Sequence, residues 1–75
     1  MNYRIILGDN IRGFRNNLGW TQEKLAARAK LTNDYISRVE LGKDGISADT
    51  IVTIAKVFKI EPNILLIKDA YKKAK

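Results

Sequence analysis

Thr21-Gln22-Glu23-Lys24-Leu25-Ala26-Ala27-Arg28-Ala29-Lys30-Leu31-Thr32-Asn33-Asp34-Tyr35-Ile36-Ser37-Arg38-Val39-Glu40-Leu41 reads as two short helices joined by a tight turn. Thr21 stands where a capping hydroxyl accepts from the free amides of the next turn. Leu25, Ala26 and Ala29 then recur at helical spacing. Thr32 caps a second helix, on which Ile36 and Val39 share one face. So short a connection favours a crossed pair of helices over an antiparallel one. Ala26 is small enough for a close crossing, and Leu31, Ile36 and Val39 are expected to fill the space between. The second helix is left with an outward face of Asn33, Asp34, Ser37 and Arg38, with Tyr35 beside them. On most short helices such a face is simply solvated. Its side chains are also of the kinds that read base edges in a major groove.

The composition narrows the choice. A chain of 75 residues makes one small domain. At about this size only roughly 60% of the unfolded surface is buried, so self-association adds stability. Cysteine and histidine are both absent. That excludes a disulfide framework and a thiolate metal site, and it removes the commonest general base and metal ligand. No carboxylates pair at a useful spacing either, so an enzyme is the least supported class, and no cofactor or metal is expected. The net charge of +6 favours a polyanionic partner, nucleic acid or a membrane surface. The apolar runs Ile5-Ile6-Leu7 and Ile64-Leu65-Leu66-Ile67 are far too short to span a bilayer. The amino terminus lacks the pattern of a signal peptide, and a cytoplasmic setting is expected.

Taken in order, residues 1–6 are expected to be extended or frayed. A first helix is predicted from Leu7 to Leu18, with Leu7, Ile11, Phe14 and Leu18 along one stripe and Gly19 ending it in the left-handed conformation. Trp20 is expected to pack as a staple on the next helix rather than to stack on a base. The second and third helices cover about Gln22 to Ala29 and Asn33 to Leu41, with Gly42 as the stop. Lys43-Asp44-Gly45-Ile46 is a loop. Ser47 caps a fourth helix with an inward stripe of Ile51, Ile54, Ala55 and Phe58. Pro62 suits the first position of a fifth helix, predicted to reach Ile67 and to be extendable to Tyr71. A basic tail over about residues 68–75 closes the chain, which reads as a single domain over 1–75.

Leu7-Gly8-Asp9-Asn10-Ile11-Arg12 through Arg15, then Trp20-Thr21-Gln22-Glu23-Lys24-Leu25-Ala26, Tyr35-Ile36-Ser37-Arg38-Val39-Glu40, Gly42, Thr50-Ile51, Ile54-Ala55 and Ile60 resemble the pattern of the Xre/Cro-repressor-like helix-turn-helix domains. The likeness runs from about Leu7 to Leu66. It implies an all-α, compact five-helix, lambda-repressor-like fold. It also implies a transcriptional regulator, cytoplasmic and nucleoid-associated, encoded by a bacterium or phage. Such a regulator binds an inverted repeat in double-stranded DNA as a homodimer, the third helix entering the major groove. No small-molecule ligand is implied, and there is no room for a ligand-sensing module.

The resemblance also assigns roles by position. Gln22 looks like a phosphate-binding residue at the start of the second helix, beside amides that attract anions. Asn33, Asp34, Ser37 and Arg38 look like base readers, and Lys43 like a backbone contact. Arg15 and Glu40 look like a structural ion pair tying the first helix to the third. Side-chain chemistry adds detail. Arg38 suits paired bonds to guanine, and Asn33 to adenine. Asp34 either accepts from cytosine or holds Arg38, and the i to i+4 spacing favours the latter. Tyr35 ranks below the others, as a thymine-methyl or phosphate contact. Three positions depart from the family pattern: Lys30 in the turn, Leu41 at a usually polar site, and Gly45-Ile46 where proline is common before the fourth helix.

Ile64, Leu66, Ile67 and Tyr71 exceed what one inward face of a fifth helix can use. Such a surplus marks an interaction surface, here a two-fold dimer interface. The alternative is a longer helix folded back over the first. A stand-alone regulator of the phage Cro or restriction-modification controller type follows. The rival reading is an antitoxin-like or bridging module that uses the same fold to bind another protein.

Overall fold

A computed structural model describes residues 2–73, and these are helical throughout except for short connections. Helix α1 spans Tyr3–Asn17. It begins four residues before the predicted Leu7, because the Asn2 side chain accepts from the Arg4 amide and caps it there. The expected frayed lead is therefore helix, with residue 1 outside the described range. Leu7, Ile11 and Phe14 are buried as predicted, but Leu18 is half exposed. It lies past the last helical turn, where the stripe no longer points inward. Gly19 follows with a positive φ and ends the helix as expected.

Helix α2 spans Gln22–Ala29 and α3 spans Asn33–Glu40. The Thr21 hydroxyl accepts from the Lys24 amide and the Thr32 hydroxyl from the Tyr35 amide. Lys30 occupies the turn between them with φ of 58°, a left-handed conformation that disfavours a side chain by roughly 1–2 kcal/mol. Two backbone bonds offset this: the Lys30 amide donates to Ala27 and the Leu31 amide to Ala26. Ile36 and Val39 fill the crossing, and Leu31 packs at its edge. Helix α4 spans Ala48–Phe58, capped by Ser47. Ile54, Ala55 and Phe58 point inward, with Ile51 half-buried. Among the described residues no helix is long and apolar enough to cross a membrane.

The predicted fifth helix is in two pieces. Pro62–Leu66 forms a tight 3-10 turn, and α5 spans Ala70–Lys73. Asp69, with φ of 61°, breaks the path between them. Asn10, fully buried on α1, donates from its amide to the Leu65 and Ile67 carbonyls at 2.8 and 2.7 Å. Tyr71 then turns back over Gly13, where any added side chain would run into its ring. The alternative reading, a chain end folded over α1, is thus realised for Tyr71. Of the predicted basic tail, Lys72 and Lys73 are helical, while Ala74 and Lys75 lie outside the described residues.

The core sits where α1, α2, α3, α4 and the 3-10 turn converge. Ile11, Leu25, Ile36, Ile54 and Leu65 are fully buried there, each contributing about 1.5–3 kcal/mol relative to exposure. Gly8 sets the closest approach, since any side chain on it would strike the Val39 carbonyl oxygen and crowd the Glu40 backbone. Beside that contact the Arg15 guanidinium meets the Glu40 carboxylate with Nε to Oε2 at 2.7 Å and Nη2 to Oε1 at 2.9 Å. Arg15 Nη1 also donates to the Trp20 carbonyl at 2.7 Å. Glu40 is only 4% exposed. Trp20 packs on Phe58, with ring centroids 6.1 Å apart, while Lys24 and Arg28 lie over its ring. Its indole serves the fold, and the helix it staples is α4 as much as α2.

Two stability outcomes follow from this core. Overpacking costs about 1–3 kcal/mol, against a helix gain of at most about 1 kcal/mol from replacing glycine. Gly8→Ala is therefore expected to lower the urea midpoint at unchanged slope. Removing one partner of a buried ion pair costs about 3–5 kcal/mol. Glu40→Ala should lose about that much in equilibrium unfolding, and adding Arg15→Ala should cost little more. Strictly additive losses would show the two residues to be independent.

Candidate nucleic-acid interface

Helix α3 buries Ile36, Val39 and Glu40 and turns the opposite side to solvent. Asn33 and Asp34 are exposed there, and Ser37 and Arg38 are half exposed. The caps at Thr21 and Thr32 fix where α2 and α3 begin, so these four positions fall on one face by helical register alone. Gln22 starts α2 and reaches Glu40 at the end of α3, and Lys43 lies in the loop after α3.

Gln22 is half-buried, and its side chain is already partnered. Its Nε2 donates to Glu40 Oε1 at 3.0 Å. An ionised carboxylate only accepts, so the amide nitrogen must face it, and one further N–H remains for a second acceptor. The Thr21 hydroxyl takes the Lys24 amide, which leaves the amides of the first turn of α2 pointing outward. Lys43 is exposed just past α3.

Arg38 lies at the centre of a cluster. Its Nη1 donates to Asp34 Oδ2 one turn earlier, and its Nε donates to Asp44 Oδ2 at 2.9 Å. The guanidinium also lies 6.0 Å from the centre of the Tyr35 ring. The Asp44 hydrogen bond is the main cause that pushes the Arg38 pKa above its usual value, with the Asp34 charge adding to it. Of the two readings of Asp34, the geometry realises the hold on Arg38. Tyr35 is half-buried, and its hydroxyl reaches toward the Gly45 carbonyl at 3.5 Å, a long contact. Desolvation, then the Asp44 charge, raises its pKa, so the phenol stays a donor at neutral pH.

Asp44 was not singled out by the sequence, because it sits in a loop six positions beyond Arg38, where no helical spacing signals a pair. Arg4 was also missed. The early start of α1 brings its guanidinium to Gly45, where a methyl group would lie 3.3 Å from its nitrogens. Ile46 anchors the same loop by packing on the core, so the loop has a fixed path without proline. Leu41 is 60% exposed, as its departure from the family pattern suggested.

The residues expected at a dimer interface separate into two groups. Leu66 and Ile67 are 40% and 45% exposed. Ile64 is half-buried against the core, and Tyr71 is turned back on α1. A cleft of about 310 Å³ opens beside them, lined by Phe14, Ile60, Ile64, Ile67, Ala70 and Lys73.

The geometry agrees with comparisons to known proteins. The family model described as Helix-turn-helix (HTH_3) matches residues 11–65. Control protein C.BamHI of Bacillus amyloliquefaciens is 36% identical over 66 residues, covering 87% of this chain and 82% of that protein. The structure of the hypothetical transcription factor NHTF from Neisseria superposes with a TM-score of 0.86 at 32% identity, over 96% of this chain and 83% of that one. The restriction-modification controller protein C.AhdI from Aeromonas hydrophila gives 0.79 at 32% identity, over 83% and 94%. With its crossed α2–α3 pair and this matched span, the chain belongs to the helix-turn-helix family of Xre/Cro-like DNA-binding transcriptional regulators.

Proposed function

We propose that this chain binds an inverted-repeat operator as a homodimer, with α3 of each protomer in a major groove. The observation that carries the reading is the single outward face of α3 holding Asn33, Asp34, Ser37 and Arg38. In this reading Arg38 bonds guanine through paired donors and Asn33 bonds adenine. Ser37 takes either partner, and Asp34 aims Arg38. Gln22 uses its second N–H on a phosphate, together with the outward amides of α2. Lys43 and the Tyr35 hydroxyl hold the sugar–phosphate backbone on the other side. Backbone contacts of this kind fix register, and the base contacts specify sequence.

Dimerisation is assigned to the exposed apolar edge of Leu66 and Ile67, with Ile64 at its inner side and Tyr71 bracing α5 from behind. Burying the same patch on two copies is self-complementary, as two-fold symmetry requires. It would set two recognition helices about 34 Å apart, one turn of DNA. The likeness to the restriction-modification controller protein C.AhdI supports a regulator whose own concentration sets operator occupancy. In the antitoxin-like or bridging alternative, the same patch would hold a different protein.

Selection from random duplex DNA is expected to return an inverted repeat. Against that site, Arg38→Ala should lose roughly ten- to a hundredfold in affinity and relax preference at one base position. Lys43→Ala should weaken all sequences alike and reduce the salt slope by about 0.9 per phosphate lost. Wild-type behaviour in both variants would refute the site. Leu66→Asp with Ile67→Asp should give monomers in sedimentation at high micromolar concentration, with weakened operator binding and an intact fold. A wild-type chain that sediments as a monomer with and without DNA would refute the dimer. Stoichiometric co-purification of a second protein would favour the bridging alternative.

A further inference from the structure

We propose that Asp44 is a positioning residue that decides which edge of the Arg38 guanidinium is offered to DNA, and so raises sequence discrimination at the expense of non-specific affinity. The inference rests on the reading of Arg38 as a base-contacting residue.

Guanidinium has five N–H donors in one plane. Two of its edges present a pair of donors: the side edge, made by Nε and Nη2, and the end, made by Nη1 and Nη2. Asp44 occupies Nε at 2.9 Å, which closes the side edge. Asp34 takes one hydrogen of Nη1. With the side edge closed, the end is the one edge on which Arg38 can still offer a donor pair. The guanidinium carbon also lies over the Tyr35 ring, 6.0 Å from its centre.

The two acids do not hold it equally. The Asp34 side chain is 81% exposed, that of Asp44 only 32%. Solvent and salt screen the exposed pair more, so Asp44 is the firmer anchor. It reaches Arg38 from a loop that Ile46 fastens to the core, whereas Asp34 shares the helix of Arg38 and restrains it only along that axis.

Charge completes the argument. Asp34, Arg38 and Asp44 together carry a net charge of −1. A phosphate approaching this cluster is repelled by its full charge, the N7 and O6 of guanine far less, because they carry only partial charges. A bare arginine would grip phosphate on any sequence. The caged one exchanges little with the backbone and responds to a base that presents two acceptors. This is discrimination by penalising the wrong contact.

The test compares wild type, Asp44→Asn, Asp44→Glu, Arg38→Ala and the Arg38→Ala/Asp44→Asn double variant. Two probes are used: the duplex recovered by selection, and a scrambled duplex of the same composition. Asp44→Asn removes the charge and keeps the shape. Its binding to the scrambled duplex should strengthen. The salt slope there should steepen by about 0.9 per protomer as Arg38 becomes free to neutralise a phosphate. That slope corresponds to roughly a further threefold loss of affinity between about 50 and 200 mM salt. The ratio of selected to scrambled affinity should fall, Asp44→Glu should restore it, and the double variant should match Arg38→Ala. If Asp44→Asn instead lowers both affinities together at an unchanged slope, Asp44 is only a loop clamp and the proposal is overturned. If Arg38→Ala keeps its base preference, the reading of Arg38 itself fails, a distinct result.

Discussion

A single buried carboxylate holds α1, α2 and α3 in register. Glu40 ends α3, yet it accepts from Arg15 on α1 and from Gln22 at the start of α2. Burying an ion this completely is expensive, and its attraction to a partner offsets the loss only when the remaining lone pairs are also satisfied. Here both oxygens are occupied. One group therefore fixes the end of α3 and the start of α2. The third guanidinium bond, to the Trp20 carbonyl, ties in the connection between α1 and α2. A small domain with little core to spare gains its rigidity where the two helices of the helix-turn-helix meet α1.

Much of this was legible in the residues. The caps at Thr21, Thr32 and Ser47 are local chemistry, and so are the glycine stops after α1 and α3 at Gly19 and Gly42, so the starts of α2, α3 and α4 could be read directly, whereas α2 and α4 end on left-handed Lys30 and Lys59. The outward face of α3 follows from its register. The early start of α1 was missed because asparagine at position 2 is an unremarkable residue until its side chain is seen capping the Arg4 amide. Leu18 misled because a helical stripe says nothing about where the helix stops. The broken fifth helix was hidden for a different reason. Its path depends on Asn10, more than fifty positions away, and on a left-handed Asp69 that no propensity announces. Tyr71 counted as surplus for the same reason: its partner is the absence of a side chain at Gly13.

The site divides along the same line. Asn33, Asp34, Ser37 and Arg38 form a face through spacing within one helix, which sequence carries. Gln22 was named through the resemblance, but its bond to Glu40 and the hold of Asp44 on Arg38 are contacts between elements, and those need coordinates. The net charge of +6 pointed to a polyanion, but it did not show that Arg38 is held between two acids, Asp34 and Asp44.

Asn10 has a consequence of its own. Two bonds from one buried amide fasten the C-terminal segment to α1, on the side of that helix away from Glu40. The C-terminal segment, which carries the apolar edge proposed to pair protomers, and α3, whose outward face is proposed to read bases, thus hang from the same helix by separate fittings. Either attachment can be altered while the other is left intact, so the two ends of this fold are free to vary separately.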